Sequence, residues 1–173
     1  MLKNKKICFI GTGNMGEALV SGLVQSQASQ PEDIICTDVR ADKLTDIQTK
    51  YGVKTSTSNT EAIERSEIII YAVKPQILAA VLHETADYLN LDKLIISIAA
   101  GVPLAAMEAC INKDLRLIRV MPNIAAFVKA SATAIAAGQH TREGDIELAK
   151  AIFDSVGKSV FINENVLMDA ITG

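Results

Sequence analysis

The chain has 173 residues, of which 49% are hydrophobic, 21% charged and 4% aromatic, and its net charge is −3. This length fits one domain, and the apolar fraction excludes an intrinsically disordered chain. The acidic balance argues against a nucleic-acid or anionic-membrane partner, and no apolar run is long enough to span a bilayer, so we expect a cytoplasmic protein.

Strand and helix patterns alternate along the chain. In chain order we predict a strand at 5–10, a helix at 14–28, a strand at 33–37, a helix at 42–51, a strand at 53–56, a helix from 59, a strand at 67–72, a helix from 75, a strand at 93–98, a helix at 103–110, strands at 115–121 and 132–137, a helix at 145–155, a strand at 158–162 and the start of a helix at 165–171. Asn59 is the candidate N-cap of its helix, and Ile77, Val81 and Leu82 run along the helix that begins at Pro75. The alternation predicts an α/β fold of the Rossmann type, with a doubly wound, mostly parallel sheet and helices on both faces.

A glycine-rich loop, Gly11-Thr12-Gly13-Asn14-Met15-Gly16, joins the first strand to the first helix. In dinucleotide-binding folds the first glycine permits a tight turn, the second admits the pyrophosphate and the third lets the helix pack on the strand. The helix then offers unpaired N–H groups and its positive dipole end to the phosphates. An ordinary glycine-rich turn is the alternative, but the position between a strand and a helix favours a nicotinamide dinucleotide.

The second strand ends at Asp38, roughly the twenty residues beyond the glycine loop at which an acid usually accepts hydrogen bonds from the adenosine ribose of NAD. Arg40 follows closely, and a guanidinium there can pair with the 2′-phosphate of NADP. The two residues favour different cofactors. Asp38 is alternatively a turn residue or a helix cap, and Arg40 a solvated side chain.

Three further loops follow predicted strands, at the edge where doubly wound sheets bind their ligands. In the first, Ala72-Val73-Lys74-Pro75, the lysine should face cofactor or substrate. The small residues of the second, Ser97-Ile98-Ala99-Ala100-Gly101, would let a nicotinamide–ribose unit lie against the backbone. In the third, Arg119-Val120-Met121-Pro122-Asn123, the asparagine can donate and accept a hydrogen bond. Alternatively, the lysine of the first loop lies on the surface, the small residues of the second serve close helix–strand packing, and the asparagine of the third belongs to a turn after proline.

The remaining reactive residue types form no recognisable site. His83 and His140 lack nearby partners for a triad or a metal, so we expect both on the surface. Cys8, Cys36 and Cys110 are far apart and have no CxxC spacing, which predicts reduced, mostly buried thiols. No metal site is predicted.

Taken together, the motifs resemble pyrroline-5-carboxylate reductase, the last enzyme of proline biosynthesis. The matching segments are, in order, Phe9-Ile10-Gly11-Thr12-Gly13-Asn14-Met15-Gly16, Ala72-Val73-Lys74-Pro75, Ser97-Ile98-Ala99-Ala100-Gly101-Val102, Arg119-Val120-Met121-Pro122-Asn123, Ser155-Val156-Gly157 and Asp169-Ala170-Ile171-Thr172-Gly173. Each segment alone is unspecific, but the ordered set is highly specific.

The resemblance implies NAD(P)H-dependent reduction of the C=N bond of 1-pyrroline-5-carboxylate to L-proline. It implies cofactor contacts along the glycine loop, around the adenosine ribose and along the nicotinamide half, with Asn123 on the substrate side. The implied cofactor-binding residues are Ile10, Gly11, Thr12, Gly13, Asn14, Met15, Asp38, Val39, Arg40, Asn59, Ala72, Val73, Lys74, Pro75, Ile98, Ala99 and Ala100. NADP(H) is favoured by the family, and NAD(H) stays open because Asp38 replaces a residue that is often small or neutral.

The family continues beyond Gly173 into a helical domain that forms the dimer and supplies substrate-binding groups. We therefore expect residues 1–162 to form the NAD(P)-binding domain and 163–173 to begin the connection to a missing domain. The full-length protein is expected to be a homo-oligomer that binds 1-pyrroline-5-carboxylate. The catalytic residues are not predicted, since the main substrate groups would lie beyond this chain, and we expect the chain alone to bind cofactor with little or no activity.

Two other functions remain as alternatives. One is a β-hydroxyacid-type or deazaflavin-linked reductase, which shares the glycine loop but is not expected to carry the whole motif set. The other is a non-catalytic dinucleotide-sensing module.

Overall fold

The computed structural model describes residues 2–164, so the helix expected at 165–171 lies outside the described residues. The strands are β1 (Ile7–Ile10), β2 (Ile34–Thr37), β3 (Lys54–Ser56), β4 (Ile68–Tyr71), β5 (Leu94–Ser97), β6 (Arg116–Met121), β7 (Ser131–Ala137) and β8 (Gly157–Phe161). The α-helices are α1 (Asn14–Gln25), α2 (Ala41–Tyr51), α3 (Asn59–Glu64), α4 (Pro75–Thr85), α5 (Leu104–Ile111) and α6 (Asp145–Phe153). Short 3₁₀ turns lie at Pro31–Asp33, Ala86–Tyr88, Ile124–Val128 and Asp154–Val156.

Within the described residues the strands form one eight-stranded sheet in the order β3-β2-β1-β4-β5-β6-β7-β8. The first six strands of that order are mutually parallel, β7 is antiparallel to β6, and β8 is parallel to β7. The predicted α/β fold with a mostly parallel sheet is therefore confirmed. The direction of winding reverses between β1 and β4, which is the place where such sheets open a crevice for a ligand.

The core occupies both faces of the sheet, because the central strands alternate their side chains between two layers of helices. Ile7 and Phe9 of β1 pack in the cluster that contains apolar residues of α1, α2 and α6. Cys8 and Ile10 point to the opposite face, into the cluster that contains residues of α3, α4 and α5. All four residues of β1 are buried, which explains why this strand reads as a continuous apolar run.

One local expectation, the cap of α3, is wrong. The cap of α3 is Ser58, whose side chain accepts a hydrogen bond from the Glu61 amide, and not Asn59, which is the first helical residue. Ser58 and Glu61 have the Ser-x-x-Glu spacing of a capping box. As expected, Ile77, Val81 and Leu82 lie along the helix that begins at Pro75. Leu82 is buried together with Leu78, Val81 is half-buried and Ile77 is 49% exposed.

The cysteines and histidines lie as expected. Cys8 and Cys36 are buried and Cys110 is half-buried, and all three are free thiols. Burial raises the pKa of Cys8 to about 12, so this thiol stays neutral and unreactive. His83 and His140 are exposed, and His140 Nε2 lies 3.3 Å from Asp114 Oδ1.

A buried ion pair fastens α6 to β6. Arg116 Nε donates to Asp145 Oδ2 at 3.0 Å, Arg116 Nη2 donates to Asp145 Oδ1, and the Arg142 amide donates to Asp145 Oδ2 at 2.7 Å. Burial raises the pKa of Asp145, but these hydrogen bonds outweigh it and hold the pKa below its ordinary value. The carboxylate is therefore ionised at neutral pH and stabilises the fold.

Asp145→Asn is expected to lower the free energy of unfolding by about 3 kcal/mol at neutral pH, because it leaves the Arg116 guanidinium without a counter-charge. The stabilisation by Asp145 is complete above the unfolded pKa of about 3.9 and is lost as the pH falls through the lower folded value. Urea unfolding at a series of pH values should therefore show that the difference in free energy of unfolding between the unaltered protein and Asp145→Asn becomes smaller below about pH 4. The control is Asp46→Asn on the exposed side of α2; a difference that stays constant down to acid pH would contradict the assignment.

Candidate functional site

The carboxyl ends of the parallel strands meet at one edge of the sheet. Ile10 at the end of β1 is in register with Thr37 on one side and Tyr71 on the other. Tyr71 is in register with Ser97, and Ser97 with Arg119. The loops that follow β1, β2, β4, β5 and β6 therefore share one edge. The predicted site residues lie in these loops or in the strand and helix ends that flank them, except Asn59, which follows β3.

The glycine loop is held tightly against the strands beside it. Gly11 has a φ of +96°, and a Cβ at this position would lie 2.9 Å from the Ala72 carbonyl oxygen. The Gly11 amide donates to the Thr37 carbonyl at 2.9 Å, which continues the sheet hydrogen bonds past the end of β1. A Cβ on Gly16 would lie 2.5 Å from the Gly11 carbonyl oxygen. The first and third glycines thus satisfy steric demands inside the protein.

Gly13 is different, because its surroundings are open. Apart from Gly13 itself and its two chain neighbours, no atom of the described residues lies within 4 Å of the position that a Cβ on Gly13 would occupy. Gly13 is also the N-cap residue of α1, and in the part of the chain that the structure describes no side chain caps this helix. The free space and the free N–H groups together form a cradle that fits the pyrophosphate of a dinucleotide.

The acid in the first turn of α1 is neutralised from the side. Glu17 Oε1 accepts hydrogen bonds from Lys50 Nζ at 2.9 Å and from the Tyr51 hydroxyl at 3.3 Å. The hydrogen bond from Lys50 is the largest influence on Glu17 and lowers its pKa. A carboxylate held by Lys50 repels an incoming phosphate less than a free one would.

Asp38 braces the glycine loop from the end of β2. Its Oδ2 atom accepts hydrogen bonds from the Thr12 amide at 2.9 Å and the Thr12 hydroxyl at 2.8 Å. Its Oδ1 atom accepts from the Arg40 amide at 3.0 Å, and Arg40 Nε lies 4.0 Å away. Partial burial raises the pKa of Asp38, but the hydrogen bonds outweigh it and the pKa is lowered. The sequence identified both Thr12 and Asp38 without revealing this contact.

Asn59 lies beside the same strand end. Its Oδ1 atom accepts a hydrogen bond from the Thr37 hydroxyl at 2.6 Å, and its Nδ2 atom donates to Glu84 Oε1 at 3.4 Å. Asn59 therefore bonds to the residue that directly precedes Asp38 in the chain. Val39 and Arg40 extend from this corner into solvent, with Val39 99% exposed.

The loops after β4 and β5 line the other side of the crevice. The Ala72 amide donates to the Ile10 carbonyl at 2.8 Å, and the Ile98 amide donates to the Tyr71 carbonyl at 3.2 Å. Ala99 is buried, whereas Ala100 is exposed. Lys74 precedes α4 and is exposed, and no acceptor for its ammonium group lies among residues 2–164.

Asn123 has a structural partner. Its Oδ1 atom accepts a hydrogen bond from the Ala125 amide at 3.1 Å, which caps the 3₁₀ turn at Ile124–Val128. This contact supports the reading of Asn123 as a turn residue, and its predicted role on the substrate side stays a prediction.

Sequence reasoning missed a buried contact between Arg119 and Glu164. Arg119 Nη1 donates to Glu164 Oε1 at 2.9 Å, and the Leu104 amide at the start of α5 donates to the same oxygen at 2.9 Å. The one available signal was that α5 follows Pro103 without a capping side chain and without an acid in its first turn. An acceptor from elsewhere in the chain was therefore to be expected.

Among residues 2–164, no group of three or more His, Cys, Asp or Glu residues could hold a metal ion. No helix in that range combines the length and apolarity needed to cross a membrane.

The comparisons with known proteins agree with this geometry. A family model described as NADP oxidoreductase coenzyme F420-dependent matches residues 6–101, more than half of the chain. The chain belongs to this family. The match contains the glycine loop, Asp38, Asn59 and the loops after β4 and β5.

The similarity to pyrroline-5-carboxylate reductases covers nearly the whole chain. The reductase of Methanosarcina acetivorans is 44% identical over 172 residues, which are 99% of this chain and 63% of the relative. The solved structure of the Coxiella burnetii reductase has a TM-score of 0.94 and 31% identity, covering 98% of this chain and 63% of that chain. The Plasmodium falciparum pyrroline carboxylate reductase, solved with NADP bound, has a TM-score of 0.84 and 28% identity, covering 93% of this chain and 58% of that chain.

These matches confirm the resemblance drawn from the motifs. They also support a nicotinamide dinucleotide as the class of cofactor for this member of the NADP oxidoreductase family. The chain spans less than two thirds of the length of each of these relatives.

The glycines offer a direct test of the cradle. Gly13→Ala should change the melting temperature little, because beyond the adjoining residues no described atom lies within 4 Å of the new Cβ, and should weaken NADPH binding at least tenfold by occupying the pyrophosphate space. Gly16→Ala should lower the melting temperature by several degrees, because its Cβ meets the Gly11 carbonyl. Calorimetry and cofactor titration of both variants measure these effects; unchanged cofactor binding by a folded Gly13→Ala variant would contradict the cradle.

Proposed function

We propose that this chain is the cofactor-binding part of a pyrroline-5-carboxylate reductase, which uses NAD(P)H to reduce 1-pyrroline-5-carboxylate to L-proline. The observation that carries the proposal is the match to the Methanosarcina acetivorans reductase, which extends over 99% of the chain. The family model ends at residue 101. Past that residue, the match to the Methanosarcina acetivorans reductase continues to nearly the end of the chain at 44% identity overall, and this favours a reductase of that kind over β-hydroxyacid-type or deazaflavin-linked enzymes.

Each part of this edge of the sheet would contact a different part of the cofactor. Ile10 to Met15 would hold the pyrophosphate, with Gly13 and the amino end of α1 closest to it. Asp38, Val39, Arg40 and Asn59 would surround the adenosine ribose. Ala72 to Pro75 and Ile98 to Ala100 would line the nicotinamide half. The bound dinucleotide supplies a hydride, and the protein contributes its position and the exclusion of water.

The substrate carries a carboxylate and a ring C=N that becomes more reactive when protonated. An exposed cation at the rim, Lys74, is suited to attract such an anion to this edge. Asn123 is the other polar side chain assigned to the substrate side. We place the remaining substrate-binding groups in sequence that the longer relatives have beyond the matched part.

We further propose NADP(H) as the preferred cofactor. The negative charge of Asp38 would oppose a 2′-phosphate if it were free, but three donors from Thr12 and Arg40 already share it. The Arg40 side chain is 54% exposed and reaches past Asp38 into solvent. A guanidinium in that position can pair with a phosphate in two-pronged geometry. The family description and the NADP-bound Plasmodium falciparum relative support the same choice.

Arg40→Ala should weaken NADPH binding about tenfold, the loss of one charge-assisted contact of roughly 1.4 kcal/mol, and leave NADH binding nearly unchanged. Fluorescence titration with both reduced cofactors measures the ratio of the NADPH affinity to the NADH affinity in each variant. The matched control is Arg65→Ala, an exposed arginine on the far end of α3 that pairs with Glu61. Equal weakening of both cofactors by Arg40→Ala would show that Arg40 does not recognise the 2′-phosphate.

The reductase proposal itself requires a turnover measurement. We expect the 173-residue chain to bind NADPH but to oxidise it slowly with 1-pyrroline-5-carboxylate. Joining the chain to the part of the Methanosarcina acetivorans reductase that it does not match should restore rapid, substrate-dependent oxidation, and the Gly13→Ala form of this fusion is the control. A folded fusion that binds NADPH and leaves the substrate unreduced would overturn the proposal.

A further inference from the structure

We infer that Arg119 and Glu164 are positioning residues that fix the loop 98–103, and with it the nicotinamide half of the cofactor site. The inference rests on the proposed function, because it takes Ile98 to Ala100 as the wall of the nicotinamide half.

The loop 98–103 is well anchored where it leaves β5. The Ile98 amide donates a hydrogen bond to the Tyr71 carbonyl, and the Ala99 amide donates one to the Ser97 hydroxyl at 3.3 Å. The middle of the loop makes little contact with the rest of the protein at Gly101, which is exposed, has a φ of +71° and, its chain neighbours aside, has no described atom within 4 Å of the position of a Cβ. The position of the loop therefore depends on how its far end is held.

That far end is the beginning of α5, which has no capping side chain of its own. Pro103 occupies the N-cap position, and a proline side chain accepts no hydrogen bond. The first turn of α5 also contains no acid to complement the helix dipole. Glu164 supplies both missing elements from 60 residues away, since its Oε1 atom accepts from the Leu104 amide at 2.9 Å.

Arg119 fixes the carboxylate that does this. Its side chain is only 3% exposed, that of Glu164 is 16% exposed, and Nη1 donates to the same Oε1 atom at 2.9 Å. Arg119 is in register with Ser97, the residue from which the loop departs. One end of the loop is thus fixed directly by β5, and the other is fixed by Arg119 of the neighbouring strand β6 through Glu164.

The adenosine half has no such dependence. Its residues lie at the ends of β1 and β2, on the other side of β4, and Asp38 and Asn59 bond to Thr12 and Thr37. Loss of the Glu164 carboxylate should therefore disturb one half of the cofactor and spare the other.

The test compares NADPH with ADP-ribose 2′-phosphate, which has the adenosine half and the phosphates but no nicotinamide. Glu164→Ala in the 173-residue chain should weaken NADPH binding roughly tenfold, the effect of losing one helix cap, and leave the affinity for ADP-ribose 2′-phosphate unchanged. Glu164→Gln keeps an oxygen for the Leu104 amide and should show a smaller loss, so it carries the test if the alanine variant does not fold. Glu32→Ala, at an exposed acid in the turn before β2, is the matched control.

Hydrogen exchange at the Leu104 amide gives a second readout, independent of any ligand, and should accelerate in Glu164→Ala. Unchanged affinity for both ligands, or equal loss of both, would overturn the inference, since the first denies a role and the second indicates a general structural defect. Failure of the unaltered chain to bind either ligand would instead overturn the proposed function, and the inference with it.

Discussion

Parallel pairing of β1, β2, β4, β5 and β6 is the constraint on which the candidate site depends. Parallel strands in register end together, so one edge of the sheet collects five loops that are distant in sequence. The backbone hydrogen bonds do not stop at the strand ends, because the amides of Gly11, Ala72 and Ile98 continue the same ladder. The loops are consequently held by the backbone before any side chain contributes.

Three carboxylates, those of Asp38, Asp145 and Glu164, lie near the ends of helices or strands, where each has partners. Asp145 and Arg116 join the start of α6 to β6, and Arg119 and Glu164 join β6 to the start of α5. Asp38 joins the end of β2 to the glycine loop. Each carboxylate accepts from at least one backbone amide as well as from a side chain, which is what makes a buried or half-buried charge tolerable.

The sequence was sufficient for features that local chemistry determines. Gly11 and Gly16 were predicted because a strand, a tight turn and a helix follow one another within a few residues, and Pro75 because proline suits the first turn of a helix. It was insufficient where two acceptable residues compete, as for Ser58 and Asn59 at the start of α3. It was silent on Glu164, whose partners are 45 and 60 residues away and depend on how the sheet is completed. The residues of the candidate site were thus predicted from the sequence, whereas the hydrogen bonds that hold its loops were not.

The contact between Thr12 and Asp38 has a consequence for redesigning this site. The Asp38 carboxylate takes part in holding the glycine loop, so positions 12 and 38 are energetically coupled, and in the proposed site the same carboxylate lies where the two cofactors differ. Replacing Asp38 alone to alter cofactor choice also removes the acceptor of two Thr12 donors, one of them a backbone amide. The effects of changes at the two positions will not add, and an engineered or evolving variant must change them as a pair.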